Sequence, residues 1–238
     1  MNNAFDSRVA HSGSAARAID QGLRRYMLGV FNYMGSGLVL SGILALLTFS
    51  NQSVMAAVWG TPLGLFFQFG PLVMLIGVMF VGRNMSIPAT QAFYWVFVSL
   101  MGVSLSYWGM VYTGESIART LFITGATFGA MSLWGYTTKR ELTGLRSFLF
   151  MGLIGIIIAA VVNIFMQSAM VHFIISAIGV LIFTLMTAYE TQQQKSNYYA
   201  LKGNSAELHR SAIWGALSLY VNFINLFQFL LAFFGQRE

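Results

Sequence analysis

"SAIWGALSLYVNFINLFQFLL", residues 211–231, carries no charge over its whole length yet is not uniformly apolar. Ser211, Ser218, Asn222, Asn225 and Gln228 recur at intervals of seven, four, three and three, the repeat of one helical face. The remaining surface is Leu, Phe, Ile, Val and Tyr. At about 1.5 Å per residue such a helix covers the ~30 Å of bilayer hydrocarbon. Amides are costly in lipid, so the stripe predicts that this segment packs against other helices along its length and sits at the centre of a bundle.

Working outward, the whole chain fits that reading. Of its 238 residues 57% are hydrophobic and 8% charged, against roughly 25% charged in a soluble domain. No charged side chain occurs between Met27 and Gly82. Cutting at charged and turn-forming residues leaves seven apolar segments, about 27–49, 62–82, 89–112, 116–135, 147–167, 170–190 and 212–234. The expected fold is an all-α integral membrane protein, a bundle of seven transmembrane helices with the last one central. Residues 1–26 form a polar cytoplasmic tail and residues 27–238 the membrane domain. The tail lacks a short apolar core and a small-residue cleavage site, so no cleavable signal is expected. Pro62 suits a helix start, Pro71 predicts a kink or break inside the second span, and Pro88 reads as a turn before the third.

The formal charge of +6 is distributed along the chain. Arg8, Arg17, Arg24, Arg25, Arg83, Lys139, Arg140, Arg146, Lys195, Lys202 and Arg210 fall on one side of a seven-span topology, and Arg119 and Arg237 on the other. The positive-inside rule then predicts a cytoplasmic N-terminus and an external C-terminus. Basic residues at helix ends, without an aromatic-interleaved patch, argue against nucleic acid as a partner. The lipid bilayer is the expected one.

Enzyme templates find no footing. The chain has no cysteine, and His11, His172 and His209 lie in three separate places. HExxH and Gly-x-Ser-x-Gly are absent, and both aspartates, Asp6 and Asp20, are in the tail. The chain is expected not to be an enzyme and to need no cofactor. The 14 Met residues are scattered through apolar segments and read as packing.

Polar groups at depth remain. Glu190 ends the apolar run "LIFTLMTAYETQ" at 181–192. With Asn222 about 18 Å of helix rise beyond Arg210, the two could lie at similar depth if span six continues past residue 190. Asn222, Asn225 and Asn163 have two readings each. One is interhelical hydrogen bonding at roughly 0.6–2 kcal/mol apiece, and the other is the lining of a pathway. Glu115 and Arg119 have the i,i+4 spacing of an exposed pair.

Three stretches carry a family likeness: "FGAMSLWGYTTKRELTGLRSFLFMGLIGIIIAAVVNIF" at 128–165, "IGVLIFTLMTAYETQ" at 178–192 and "GALSLYVNFINLFQFLL" at 215–231. From about residue 20 to its end the chain resembles the Bax inhibitor family of transmembrane proteins, in its bacterial branch. The resemblance implies a seven-helix bundle with a central last helix, in the bacterial inner membrane. It further implies an acidic pair, in "AYDTQ" and "LYLDFINLF" motifs, associated with a pH-sensitive calcium leak. The matching positions are Glu190 and Asn222, so one carboxylate of the pair is missing here. Arg83 corresponds loosely to a basic latch of the closed form. Glu190 is then a weak calcium site and, with Asn222, Arg83, Asn225 and Ser218, part of a gate or ion pathway whose pH response is altered or lost. Bacterial relatives are also linked to modulation of membrane-anchored proteolysis, which makes a membrane protease the partner under an alternative, non-transporting role.

Overall fold

A computed structural model describes residues 3–236, with side chains described for 20–236 apart from Arg83. Arg237 lies outside the described residues, as do the side chains of His11, Arg8 and Arg17. Among the described residues regular structure is entirely helical. The order is α1 (Asn3–Ser50), α2 (Gln52–Trp59), α3 (Leu63–Val81), a 3-10 turn at Gly82–Asn84, α4 (Ile87–Leu105), a second at Ser106–Met110, α5 (Gly114–Thr137), α6 (Leu145–Met166), α7 (Ala169–Leu201) and α8 (Ser205–Phe234).

Side-chain oxygens set several starts. Ser86, Thr113, Ser168 and Asn204 accept from the backbone N–H three residues on, at Ala89, Ser116, Val171 and Glu207. They satisfy donors that a helix start leaves open. Pro62 caps α3 as expected. Pro88 does not form a separate turn but occupies the first turn of α4, where a missing N–H costs nothing. Nor does Pro71 break the second span, since α3 runs through it. Pro71 deprives the Phe67 carbonyl of its helical donor, and the Ser104 hydroxyl of α4 donates to that carbonyl instead.

Six helices are long and apolar enough to cross a membrane: Asp20–Ser50, Leu63–Val81, Ile87–Met110, Leu145–Met166, Ala169–Leu201 and Ser205–Phe234. The segment expected as span four, α5, is not among them. Its 24 residues are long enough, about 36 Å, but too polar in composition. That polarity points inward: Ser116, Thr120, Thr124, Phe128 and Ser132 are buried at four-residue intervals along one face.

Packing sorts the helices. α8 packs against α1, α4, α5 and α7, and α7 also packs against α5 and α6. Leu219, Leu226 and Leu231 of α8 are wholly buried. Phe80, Phe122 and Phe165, on α3, α5 and α6, are more than 80% exposed, the reverse of a soluble protein and the pattern of side chains that face lipid. Backbones meet where glycine allows it. A Cβ on Gly135 of α5 would collide with the Ala188 carbonyl of α7, two residues from Glu190. Hydrogen bonds tie the interior: Ser41 Oγ of α1 reaches the Val98 carbonyl of α4 at 2.7 Å and the Tyr220 hydroxyl of α8 at 2.6 Å.

Candidate functional site

α7 continues to Leu201, so Glu190 lies eleven residues inside a helix rather than at its mouth, about 16 Å from that end. Antiparallel packing on α8 brings it to Ser218, whose hydroxyl donates to the carboxylate. Asn222, one turn further along α8, interacts with the same carboxylate. Asn222 is 3% exposed, and its Nδ2 has no hydrogen-bond partner among the described residues. The amide thus adjoins Glu190 with a buried donor to spare. Glu190, Ser218 and Asn222 thus form one cluster. It contains one carboxylate.

On one side of the cluster the interior is closed. Gln194, one turn after Glu190 on α7, accepts from the Tyr26 hydroxyl of α1 at 3.1 Å, and that hydroxyl lies 2.9 Å from Ser211 Oγ of α8. Gly215 makes this possible, because any Cβ there would occupy the space of the Gln194 side-chain amide. The three helices are stitched together between Glu190 and the α7–α8 turn. Neighbours of the motif work elsewhere: Gln192 accepts from Leu142 N and donates to the Arg140 carbonyl, both at 2.8 Å, and so pins the α5–α6 connection. Lys195 Nζ donates to the Tyr136 carbonyl at the end of α5.

On the other side the interior opens. A cavity of about 400 Å³ between α3, α4 and α8 is lined by Trp108, Asn225 and Gln228, with Gln68 and Ser104. A second, of about 340 Å³, shares Trp108, Asn225 and Gln228 and adds Asn163, His172 and Ser176 from α6 and α7. Asn225, on the wall of both, is one turn from Asn222. Its own Nδ2 donates to the Val221 carbonyl at 2.8 Å.

Other expected residues fall apart from this cluster. Arg83 belongs to the Gly82–Asn84 turn and its side chain is outside the described residues, though its neighbour Gly82 packs on Trp214, one turn from Ser218. Asn163 caps the α6–α7 hairpin, accepting from Ser168 N at 3.1 Å, while Gln167 takes the left-handed conformation. Glu115 and Arg119 pair at 2.7 Å on an exposed surface. Among the described residues no three His, Asp or Glu gather as a metal site.

Residues 23–238 match the family described as "Inhibitor of apoptosis-promoting Bax1". The chain belongs to the Bax inhibitor family. Its relatives in that family include an uncharacterized protein of Caulobacter vibrioides, 47% identical over 98% of both chains. Another, from Rickettsia prowazekii, is 45% identical over 94% of this chain and 95% of its own. The inner membrane protein YbhL of Escherichia coli is 38% identical over 91% and 94%. Membership and the apolar spans together make this Bax inhibitor family chain an integral membrane protein.

Proposed function

We propose that this protein is a cation leak, with calcium as the ion, whose gate is the cluster of Glu190, Ser218 and Asn222. One observation carries the reading: along α7 and α8 the part-buried carboxylate of Glu190 lies between two cavities that share Asn225 and Gln228 and a hydrogen-bonded stitch at Gln194, Tyr26 and Ser211. Carboxylate, amide and hydroxyl oxygens are the ligands hard cations accept. One formal charge with two neutral oxygens suits passage rather than retention. Calcium enters through the family resemblance. The proposed path runs from the cavities at Gln228 and Asn225, past Asn222 and Glu190, to the stitch at Gln194, with Arg83 near the same end as a latch.

The topology that goes with this reading has seven crossings, α5 counted as the fourth and α8 at the centre. The N-terminus is cytoplasmic, and the membrane is the inner membrane, as the name of the Escherichia coli relative has it. In that topology the stitch faces the cytoplasm and the cavities face outward.

The test is calcium and sodium entry into proteoliposomes of the purified protein and of Glu190→Gln. Flux above empty vesicles that falls at least tenfold in Glu190→Gln supports the gate. Equal flux in both proteins removes Glu190 from it. No flux in either ends the leak reading in favour of a non-transporting partner of a membrane protease.

A further inference from the structure

Apart from the polar interior, the bundle carries a slot on its lipid side. α1 and α5 both pack on α8, and between them runs a groove of about 520 Å³, within the ~300–1,000 Å³ that single ligands fill. Phe31 and Phe128 wall it, Gly129 leaves its floor open, and Arg24 and Tyr136 stand at one end. From Phe128 to Tyr136 it follows α5 for about 12 Å.

Two features do not suit an empty apolar slot. Ser132 projects into it, is 6% exposed and has a hydroxyl with no hydrogen-bond partner among the described residues. A Ser in a spanning helix ordinarily returns its proton to the carbonyl four residues back, as Thr124 does to Thr120 at 2.7 Å. Ser132 does not. The second feature is charge. Arg24 is exposed at the groove's end, and no ion pair among the described residues joins it to Asp20 one turn earlier. Lys195 adds a second cation, held over the Tyr136 ring and bonded to its carbonyl.

We propose that the α1–α5 groove is a binding site for an anionic phospholipid. An acyl chain lies between Phe31 and Phe128. The glycerol ester carbonyl accepts from Ser132, at a depth of about one turn from the helix end. The phosphate meets Arg24, with Lys195 strengthening the field behind Tyr136, as basic pockets between spans do for acidic headgroups. Chain and charge are both required, which separates this site from the general lipid annulus.

The experiment uses the full chain, purified and delipidated in detergent. Retained lipid is read by native mass spectrometry and stability by thermal unfolding, with dioleoyl phosphatidylglycerol or dioleoyl phosphatidylcholine added. The expected result is retention and a raised Tm with phosphatidylglycerol, little of either with phosphatidylcholine, and no effect of inorganic phosphate. Arg24→Gln, on an exposed side chain, weakens phosphatidylglycerol binding about fivefold. Gly129→Leu fills the groove; a Cβ there meets nothing within 4 Å, so lipid-free Tm is expected to stay put while retention is lost. Equal retention of the two lipids, or wild-type phosphatidylglycerol binding by either variant, overturns the proposal.

Discussion

Tyr26→Phe removes one oxygen from the stitch that closes the interior below Glu190. That hydroxyl makes two contacts, 3.1 Å to Gln194 Oε1 and 2.9 Å to Ser211 Oγ, and joins α1 to α7 and α8. Interhelical hydrogen bonds in membranes average ~0.6 kcal/mol and reach ~1.7, so the pair is worth about 1 to 3 kcal/mol. If the stitch exists only in the closed form, that whole amount favours opening. At about 1.4 kcal/mol per tenfold, the open fraction rises about five- to a hundredfold. The phenyl ring keeps the packing of Tyr26 on Tyr198, whose centroids lie 5.8 Å apart, so the fold is retained. The assay is cation flux in proteoliposomes beside thermal unfolding in detergent. Ser211→Ala removes only the second contact and is expected to give about half the effect in free energy. A Tyr26→Phe protein whose Tm falls by the corresponding amount while its flux equals wild type would refute the reasoning, since the bonds would then stabilise open and closed forms alike.

Asn222→Asp places a second carboxylate beside Glu190. Two unit charges about 4 Å apart repel by about 4 kcal/mol at an effective dielectric of 20, so Tm is expected to drop in chelator and recover when calcium is added; a Tm indifferent to calcium would show that the two side chains do not share an ion. Gly135→Leu drives a side chain into the Ala188 carbonyl and is expected to cost at least the 1–3 kcal/mol of overpacking, whereas Gly125→Leu, with nothing within 4 Å of its Cβ, should unfold within a few degrees of wild type. Arg119→Ala breaks a pair whose side chains are 65% and 82% exposed, and its unfolding midpoint should move by less than ~0.5 kcal/mol equivalent.

The membrane fold was legible because its strongest signal is additive. The lack of charge holds over all 56 positions from Met27 to Gly82 and the stripe over the 21 of residues 211–231, and single-residue errors do not erase them. α5 was harder, because its Ser and Thr residues lower its apparent apolarity while facing inward; only the four-residue spacing of Ser116, Thr120, Thr124, Phe128 and Ser132 betrays a packed face. The effect of Pro71 was misjudged for a tertiary reason, since the donor that serves Phe67 comes from Ser104, 37 residues on. At the site, Glu190 and Asn222 were visible as costly groups at depth, and Ser218 through its place on their stripe. Tyr26 and Gln194 were not. Gln194 is one turn beyond Glu190 on a helix that continues, and the i,i+4 spacing from Glu190 was the available signal. Short α2 left none, since its eight residues resemble the apolar segments around them.

If the chain conducts as proposed, the arrangement of polar groups along α8 implies where resistance to flow would reside. Toward Gln228 the stripe borders space: Asn225 and Gln228 line two cavities, whose other polar side chains include Gln68, Ser104, Asn163, His172 and Ser176. Toward Ser211 the stripe borders other side chains, and the oxygens of Gln194, Tyr26 and Ser211 are bonded to one another. Under the proposed leak, an ion entering from the cavities would pass the cluster of Asn222, Ser218 and Glu190 and then meet the Tyr26 network. On the proposed leak reading the carboxylate is the last holding position, and the stitch one turn on is the step expected to limit passage. Such a gate needs no second carboxylate to close it. On the same reading, Asn222, where the family resemblance implies an acid, lowers the charge of the holding position while leaving the closing contacts intact, so any flux is expected to be governed by the Tyr26 network more than by the charge of the cluster.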